Sequence, residues 1–575
     1  MMFNLLAMPI NPAFALMFGG LLMAFIPQWR VRKFIALAGP VLALWLWLQV
    51  DVFGSYGGIH IAAIGLDLEP FRFDGLSRIW ALIFIIGAFL NAIYALHERD
   101  QVQDAMSALY GGAAMGAVFA GDLLSLFVFW EITAITSVFL IWRSGTEAAR
   151  LAGIRYLVMH VGSGVLLLAG AVLLHGQTGS WAFEHIGLET GLAGWLLLLG
   201  FGIKAAFPLL HTWLQDAYPK ATITGAVVLS SFTTKMAIYA LARGFAGEDI
   251  LIYVGAIMTA FPVFFAVIEN DLRRVLSFSI NNQLGFMVVG IGVGTALGIN
   301  GAAAHAFADV IFKGLLFMSM GAVMLRTGTT KATELGGLFR SMPFTALFCL
   351  IGAGSISAFP FLSAFVTKSL ILAAVADEGH WFVWGVLIFA SAGVLEHAGI
   401  KIPYFAFFAH DSGKRPKEAP WNMLLAMGLA SFLCVFLGVN YGWLYNLLPY
   451  EMIYEPYTFD HIVGQMQLLL AAIFAFALLV RIGWYPPEIR MTILDADWLW
   501  RKPGRSFLIW LNAILDRLFG LVHLGVARRA QNVGRVLTAV LSPHGAFARV
   551  VPRGALAGWT ATFLTLALLT AYLAH

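Results

Sequence analysis

Cysteine and charge are what this chain has least of, and each shortage closes off a class of function. Only two cysteines occur, Cys349 and Cys434, each inside an apolar run, which excludes a disulfide framework and a thiolate metal cluster. Charged residues make up 11% of the 575, against 60% hydrophobic, and the mean hydropathy is +0.83. A soluble globular fold is thereby excluded, and the chain belongs in lipid. Absent too are a Gly-rich Walker segment ending in Gly-Lys-Ser/Thr, a haem-attachment cysteine pair and a dinucleotide fingerprint between strand and helix. A chain without nucleotide or redox chemistry of its own must draw energy from an ion gradient or a partner, so neither cofactor nor metal is expected in it. The first stretch has no basic start and no small-residue cleavage site, and is expected to stay as a span. The formal charge of +4 comes from basic loops and reads as a topology signal, so nucleic acid is not expected as a partner.

What is present is a succession of apolar runs about 20 residues long, rather than short alternating strands. Only helices or closed barrels satisfy every backbone group in hydrocarbon, so the expected fold class is an all-α polytopic membrane protein. Spans are predicted near 8–27, 34–52, 74–96, 105–119, 122–142, 152–174, 192–213 and 222–243, then 250–268, 273–295, 300–325, 344–376, 380–409, 421–448, 463–481 and 555–574, about sixteen in all. Basic residues gather in alternate loops, from Arg30, Arg32 and Lys33 through Arg143, Arg150, Lys220, Arg273 and Arg274 to Lys414, Arg415 and Lys417. Glu184, Glu189, Glu248, Asp249, Asp377, Glu378, Glu451 and Glu455 enrich the opposite side. The positive-inside rule makes the first side cytoplasmic and places both termini outside, in a bacterial inner membrane.

Two segments echo each other: Lys204-Ala-Ala-Phe-Pro208, and Ala358-Phe-Pro360 followed by Lys368. Each is an apolar helix interrupted by proline with a lysine near by. They lie five spans apart, an odd number, so the blocks containing them are expected in opposite orientations, as inverted repeats built around broken helices. The expected organisation is N-terminal spans and loop over 1–104, a first five-helix repeat over 105–243, a second over 250–409 and C-terminal spans over 410–481. An interfacial segment over 482–553 and a last span over 554–575 follow. In that interfacial segment Phe507, Leu508, Trp510, Leu511, Ile514, Leu515, Leu518, Phe519 and Val522 recur at helical spacing, opposite Arg505, Asp516, Arg517, Arg528, Arg529 and Arg535. The pattern predicts an amphipathic helix lying in the cytoplasmic interface of the bilayer or against a neighbouring subunit.

An ionisable residue near the bilayer centre costs roughly 3 kcal/mol or more, so each should be functional or paired. Glu131, Lys204, Lys235 and Lys313 lie too deep in their spans to snorkel; structural ion pairing is the competing role for them. His305, Asp309 and Lys313 are spaced i, i+4, i+8 and share one helix face. For His305 and Asp309 a helix–helix hydrogen bond competes with proton transfer. Position alone leaves Lys368 and Lys401 open between function and snorkelling, and Glu396 and His397 share the span of Lys401. Lysine suits proton relay because desolvation makes an ammonium easier to deprotonate and an approaching carboxylate reverses that effect.

At these residues the sequence resembles the antiporter-type family shared by Mrp-type multisubunit sodium/proton antiporters and the proton-pumping membrane subunits of respiratory complex I. The resemblance spans roughly residues 70–410 and is carried by several motifs. They are Glu131 in Phe-Trp-Glu, Lys204 before Phe-Pro-Leu-Leu-His-Thr-Trp-Leu-Gln-Asp-Ala with its His211, Lys235 before a tyrosine and Arg243, His305 to Gly314, and Ser355-Ile-Ser-Ala-Phe-Pro leading to Lys368. It implies Glu131 and Lys204 as a gating ion pair, Lys235 as connector, Lys313 with His305 as central relay and Lys368 as exit. His211, Glu396, His397 and Lys401 are additional candidates. The text around Ile400-Lys-Ile-Pro-Tyr-Phe-Ala-Phe-Phe looks most like the D-type branch of the Mrp antiporter subunits. The tail departs from that branch and looks more like the complex I subunit with a long lateral helix, and Asp309 stands where the family often has histidine.

The function this implies is the ion-translocating subunit of a multisubunit cation/proton antiporter, with H+ and Na+ as the ions, other membrane subunits as partners and the bilayer as solvent. The alternatives are the pump module of a complex I-like oxidoreductase or hydrogenase, and the membrane subunit of an ion-coupled inorganic carbon uptake system. No cluster of oxygen ligands suited to a hard cation is evident in the sequence.

Overall fold

Short polar side chains set where the helices begin. Asp74, Asp100, Asp122, Thr146, Asp271 and Thr295 each accept a hydrogen bond from a backbone N–H in the first turn of the helix that follows, which satisfies donors that hydrocarbon could not. A computed structural model of the chain describes residues 9–50, 53–61, 66–485, 489, 493–542 and 553–573. In chain order the helices that position the site are α1 (Ala13–Phe25), α2 (Trp29–Leu48), α3 (Gly75–Tyr94), α4 (Gln101–Phe119), α5 (Leu123–Trp142), α6 (Glu147–Thr178) and α7 (Leu192–Lys204). They continue as α8 (Thr212–Ala217), α9 (Ile223–Ser231), α10 (Thr233–Gly244), α11 (Asp249–Ile268), α12 (Leu272–Val293), α13 (Ala296–Thr327), α14 (Pro343–Ile356), α15 (Ser363–Asp377) and α16 (Trp381–Val394).

The chain is a multi-pass, helical membrane protein. Among the described residues eleven helices are long and apolar enough to cross a membrane, and Ala13–Phe25, Leu192–Lys204, Pro343–Ile356 and Ala557–Thr570 are apolar but shorter. The shortfall from sixteen uniform spans has a physical cause. The stretches 192–213 and 344–376 are each two helices around a break, and α4 is rich in glycine and alanine rather than large apolar residues. A second difference lies in the loop before α3. Gly54–Tyr56 pairs antiparallel with Phe71–Phe73, and Ile59–Ile61 with Leu66–Leu68, making a small nested ribbon whose three-residue strands are too short to leave a periodic signal.

The two breaks match residue for residue. Ala206 and Leu209 have φ of 60° and 70°, Ala358 and Phe361 have φ of 59° and 69°, and Pro208 and Pro360 occupy the same place in each. Left-handed backbone is costly for residues with a Cβ and persists only where its surroundings impose it. Small residues hold α11 and α12 together: a Cβ on Gly285 would stand 2.6 Å from the backbone nitrogen of Thr259, so the two helices pack backbone to backbone. Nearly every residue of α12 and α13 is buried.

The described chain divides into two units, Met1–Asp495 and Ala496–His575. The second holds a 37-residue helix, Arg505–Leu541, and the helix Arg553–Leu573. Phe507, Leu508, Trp510, Leu515 and Phe519 are exposed on the first of these. Parts of the expected 482–553 segment, residues 486–488, 490–492 and 543–552, lie outside the described residues, as do residue 8 of the first expected span and residues 574–575 of the last.

Candidate functional site

α7 stops at Lys204 because Pro208 cannot continue the ladder. The lysine is left at the helix end, fully buried. Its Nζ donates to the Trp130 carbonyl at 2.6 Å and to Thr133 Oγ1 at 2.9 Å, and lies 4.4 Å from the centre of the Trp130 ring, a cation–π contact. Glu131, next in sequence to Trp130, is half-buried, and its Oε1 has no hydrogen-bond partner among the described residues. A Cβ on Gly164 would overlap that oxygen, so Gly164 makes room for the carboxylate. The pairing of Glu131 with Lys204 implied by the family resemblance is therefore not a direct contact here: the lysine grips the backbone and hydroxyl of α5 beside Glu131.

Lys235 near the start of α10 meets α13. Its Nζ donates to the Ser230 carbonyl at 3.0 Å and stands 2.6 Å from Asp309 Oδ2, with both side chains fully buried. The approach is a charge contact outside the hydrogen-bonding direction, and Asp309 Oδ1 has no partner among the described residues. One turn further along α13, Lys313 Nζ donates to Ser279 Oγ at 2.7 Å. One turn earlier, His305 Nδ1 is 2.9 Å from Thr367 Oγ1 and its Nε2 is 3.1 Å from Gln283 Oε1. Gln283 Nε2 donates to Asn282 Oδ1, so the amide oxygen faces His305. In the neutral ring the Nε2–H donates to it and Nδ1 accepts from Thr367. The three residues of one α13 face thus meet three different helices.

At the second break Lys368 Nζ donates to the Ile356 carbonyl, the last of α14, at 2.9 Å, and sits 5.0 Å from the centre of the Phe286 ring. Lys401 is buried and donates to the carbonyls of Ala266 and Val267 at 3.2 and 2.5 Å, where a cation favours the end of α11. Glu396 and His397 lie in the irregular turn Leu395–Ile400, with both His397 nitrogens buried and without a hydrogen-bond partner among the described residues. His211 closes the first break by pairing its Nε2 with Asp495 Oδ1 at 3.1 Å, a partner 284 positions away.

Chemically, Lys235, Lys313 and Lys368 are all buried; Lys235 contacts the Asp309 carboxylate, while Lys313 and Lys368 hold Ser279 Oγ and the Ile356 carbonyl instead and feel Asp309 only through its charge. Charging all three at once would carry a large solvation cost, so the arrangement favours protons that come and go. The uncharged members of the site, Thr133, Ser279, Gln283 and Thr367, carry no charge to mark them in the sequence. The run Ser277-Phe-Ser-Ile-Asn-Asn-Gln283 inside an apolar span is the signal that could have found two of them.

Residues 120–394 match the family described as NADH:quinone oxidoreductase/Mrp antiporter, transmembrane. That range contains Glu131, Lys204, Lys235, His305, Asp309, Lys313 and Lys368 and stops short of Glu396, His397 and Lys401. The chain is similar to the D-type subunit of the Na(+)/H(+) antiporter of Alkalihalophilus pseudofirmus, 30% identical over 411 residues that make up 66% of this chain and 82% of that protein. In fold it is similar to a chain of the Mrp complex from Dietzia sp. DQ12-45-1b, with a TM-score of 0.68 and 22% identity over 83% of this chain and 98% of that one. A chain of the membrane-bound sulfane sulfur reductase, an archaeal respiratory membrane complex, gives a TM-score of 0.69 and 22% identity over 97% of this chain and 99% of that one. With its lysines and acids set in buried helices around two matched breaks, the chain belongs to the family of membrane subunits common to Mrp antiporters and NADH:quinone oxidoreductases.

Proposed function

We propose that this chain is the ion-translocating subunit of a multisubunit cation/proton antiporter in a bacterial inner membrane. It exchanges protons for sodium beside other membrane subunits and holds no cofactor of its own. Protons pass by way of Glu131, Lys204, Lys235, Asp309, His305, Lys313 and Lys368. The observation that carries this reading is that Lys235, Lys313 and Lys368 are all buried while Lys235 contacts the Asp309 carboxylate and the other two rest on a hydroxyl and a carbonyl, more buried amines than a structural ion pair has need of. Likeness to the D-type chain of an Na(+)/H(+) antiporter supports the choice of antiport. A second reading, the pump module of a respiratory complex driven by redox chemistry elsewhere, is favoured by the 97% coverage in the likeness to the sulfane sulfur reductase chain, which leaves too little uncovered to omit the helix Arg505–Leu541. Purification of the native complex with its partners separates the two.

The relay itself is tested by proton flux in proteoliposomes holding the whole complex at matched protein levels. Lys204→Met, Lys313→Met and Glu131→Gln assemble but lose flux, by about a hundredfold or more for a group that carries the proton, whereas the loop variant Lys331→Met behaves as wild type. Near-normal flux in Lys204→Met or Lys313→Met sinks the proposal.

A further inference from the structure

Lys204 and Lys235 each have their own partners, and among the described residues no ion pair joins one to the other. A cluster of hydroxyls does run from the neighbourhood of one to that of the other. Lys204 Nζ bonds Thr133 Oγ1 on α5. One turn along the same helix, Ser137 Oγ donates to the Thr133 carbonyl at 2.5 Å and lies 2.8 Å from the Tyr156 hydroxyl of α6. The Tyr156 hydroxyl is near enough to Thr233, the first residue of α10, to feel its side chain, without a well-formed hydrogen bond between them, so water would have to complete this step. Thr233 Oγ1 in turn lies 2.6 Å from the hydroxyl of Tyr110 on α4, which accepts the Thr233 amide as well. Thr233 stands two positions before Lys235. Thr133, Ser137, Tyr156, Thr233 and Tyr110 are all buried.

Beside this cluster is a histidine that the lysine relay leaves without a role. His160, one turn beyond Tyr156 on α6, is fully buried. Its ring centre lies 4.0 Å from that of Tyr156, with 30° between the planes, and 4.5 Å from that of Trp213, nearly edge-on at 79°. Neither ring nitrogen has a hydrogen-bond partner among the described residues. Buried polar atoms are rarely left so, because desolvation without compensation is expensive, and ordered water is the usual compensation. Hydroxyls, water and a neutral imidazole can each accept one proton while giving up another, which is what a path between two lysines needs.

We propose that Tyr156 and His160 pass protons between Lys204 and Lys235, through the Ser137, Tyr156, Thr233 and Tyr110 hydroxyls and water at the imidazole. This rests on the antiporter reading of the same lysines. Packing alone makes the opposite demand: His160→Phe keeps both ring contacts and removes two unpartnered polar atoms, so a structural role predicts a protein at least as stable and fully active. Tyr156→Phe removes only an oxygen.

The test is proton flux of the native complex in proteoliposomes, together with its unfolding temperature, for wild type, Lys204→Met, Tyr156→Phe and His160→Phe. Both aromatic variants are expected to assemble, and His160→Phe to unfold no earlier than wild type. Their flux should fall by on the order of tenfold or more, with a larger solvent deuterium isotope effect on what remains, which a packing defect would not produce. Flux within about twofold of wild type in Tyr156→Phe, with Lys204→Met inactive, overturns the link and leaves the antiporter reading standing. Should Tyr156→Phe assemble poorly, His160→Phe decides by the same criterion. Normal flux in Lys204→Met removes the antiporter reading and the link with it.

Discussion

The Nζ of Lys235 and the Oδ2 of Asp309 meet at 2.6 Å with both side chains fully buried, joining α10 to the face of α13 that also carries His305 and Lys313. Removing one partner of such a pair strands the other charge in a poorly solvated place. Asp309→Asn is expected to destabilise the protein by about 3–5 kcal/mol. Lys235→Met combined with Asp309→Asn is expected to recover most of that loss, since the stranded charge goes with it. Thermal unfolding of the four members of this cycle gives the coupling between the two residues directly. Additive effects would mean that the pair does no work for stability.

Asp74, the residue before the apolar helix α3 (Gly75–Tyr94), combines capping with charge. Ser77 N donates to its Oδ1 at 2.8 Å, and Arg243 Nη2 reaches Oδ1 and Oδ2 at 2.9 and 2.8 Å. Burial pushes this carboxyl up, but the Arg243 charge, the Ser77 amide and Arg72 outweigh it and hold it below its ordinary value of 3.8. A carboxyl depressed in the folded state contributes stability that is complete above its unfolded value and is lost as pH falls through the folded one. Asp74→Asn keeps a capping oxygen but removes the charge that holds Arg243, and is therefore expected to cost about 1.5–3 kcal/mol at neutral pH. The gap to wild type should close as pH drops below 3.8, which thermal unfolding across an acid series measures. A gap that widens in acid would contradict the assignment.

What the sequence makes legible is whatever stands out against an apolar background. Glu131, Lys204, Lys235 and Lys313 do so because a charge inside a span is costly. The two breaks do so because proline beside lysine recurs, although the left-handed turns at Ala206, Leu209, Ala358 and Phe361 leave no mark in residues that are not glycine. Partners are less legible. The i, i+4, i+8 spacing puts His305, Asp309 and Lys313 on one face but does not say that the face meets Thr367, Lys235 and Ser279 on three other helices. Asp495, the partner of His211, lies in a segment with no local reason to return to the break. Lys204 holds the Trp130 carbonyl instead of the Glu131 carboxylate because α5 presents its backbone to the end of α7, a matter of helix packing that composition does not encode.

The alternation of basic and acidic loops predicts that both termini face away from the cytoplasm. A C-terminal alkaline phosphatase fusion is expected to be active, and a reporter that folds only in the cytoplasm is expected to be dark at the same place. Inserted between Gly413 and Lys414, in the basic loop before the helix Trp421–Val439, the two reporters should exchange behaviour. With the N-terminus outside, cytoplasmic fluorescence at the C-terminus would require an odd number of spans and would undo the sixteen-span reading.

The helix Arg505–Leu541 carries its own prediction. At about 1.5 Å per residue its 37 residues extend roughly 55 Å, and within its unit Leu515 and Phe519 are exposed together with Phe507, Leu508 and Trp510. Apolar side chains of this size on one face have a use only if lipid or a neighbouring subunit covers them. Burying each side chain contributes about 1.5–3 kcal/mol, so replacing Leu515 and Phe519 together by aspartate should strip several kcal/mol from whatever contact the face makes. The expected result is a complex recovered in lower yield, or lacking one of its chains, with the flux per assembled complex unchanged because none of the relay lysines is touched. Arg528→Ser, which alters the charged side of the same helix, serves as the control and is expected to assemble normally. Unchanged recovery of the Leu515→Asp, Phe519→Asp complex would mean that the face is not a docking surface, and that the helix owes its amphipathic pattern to something other than assembly.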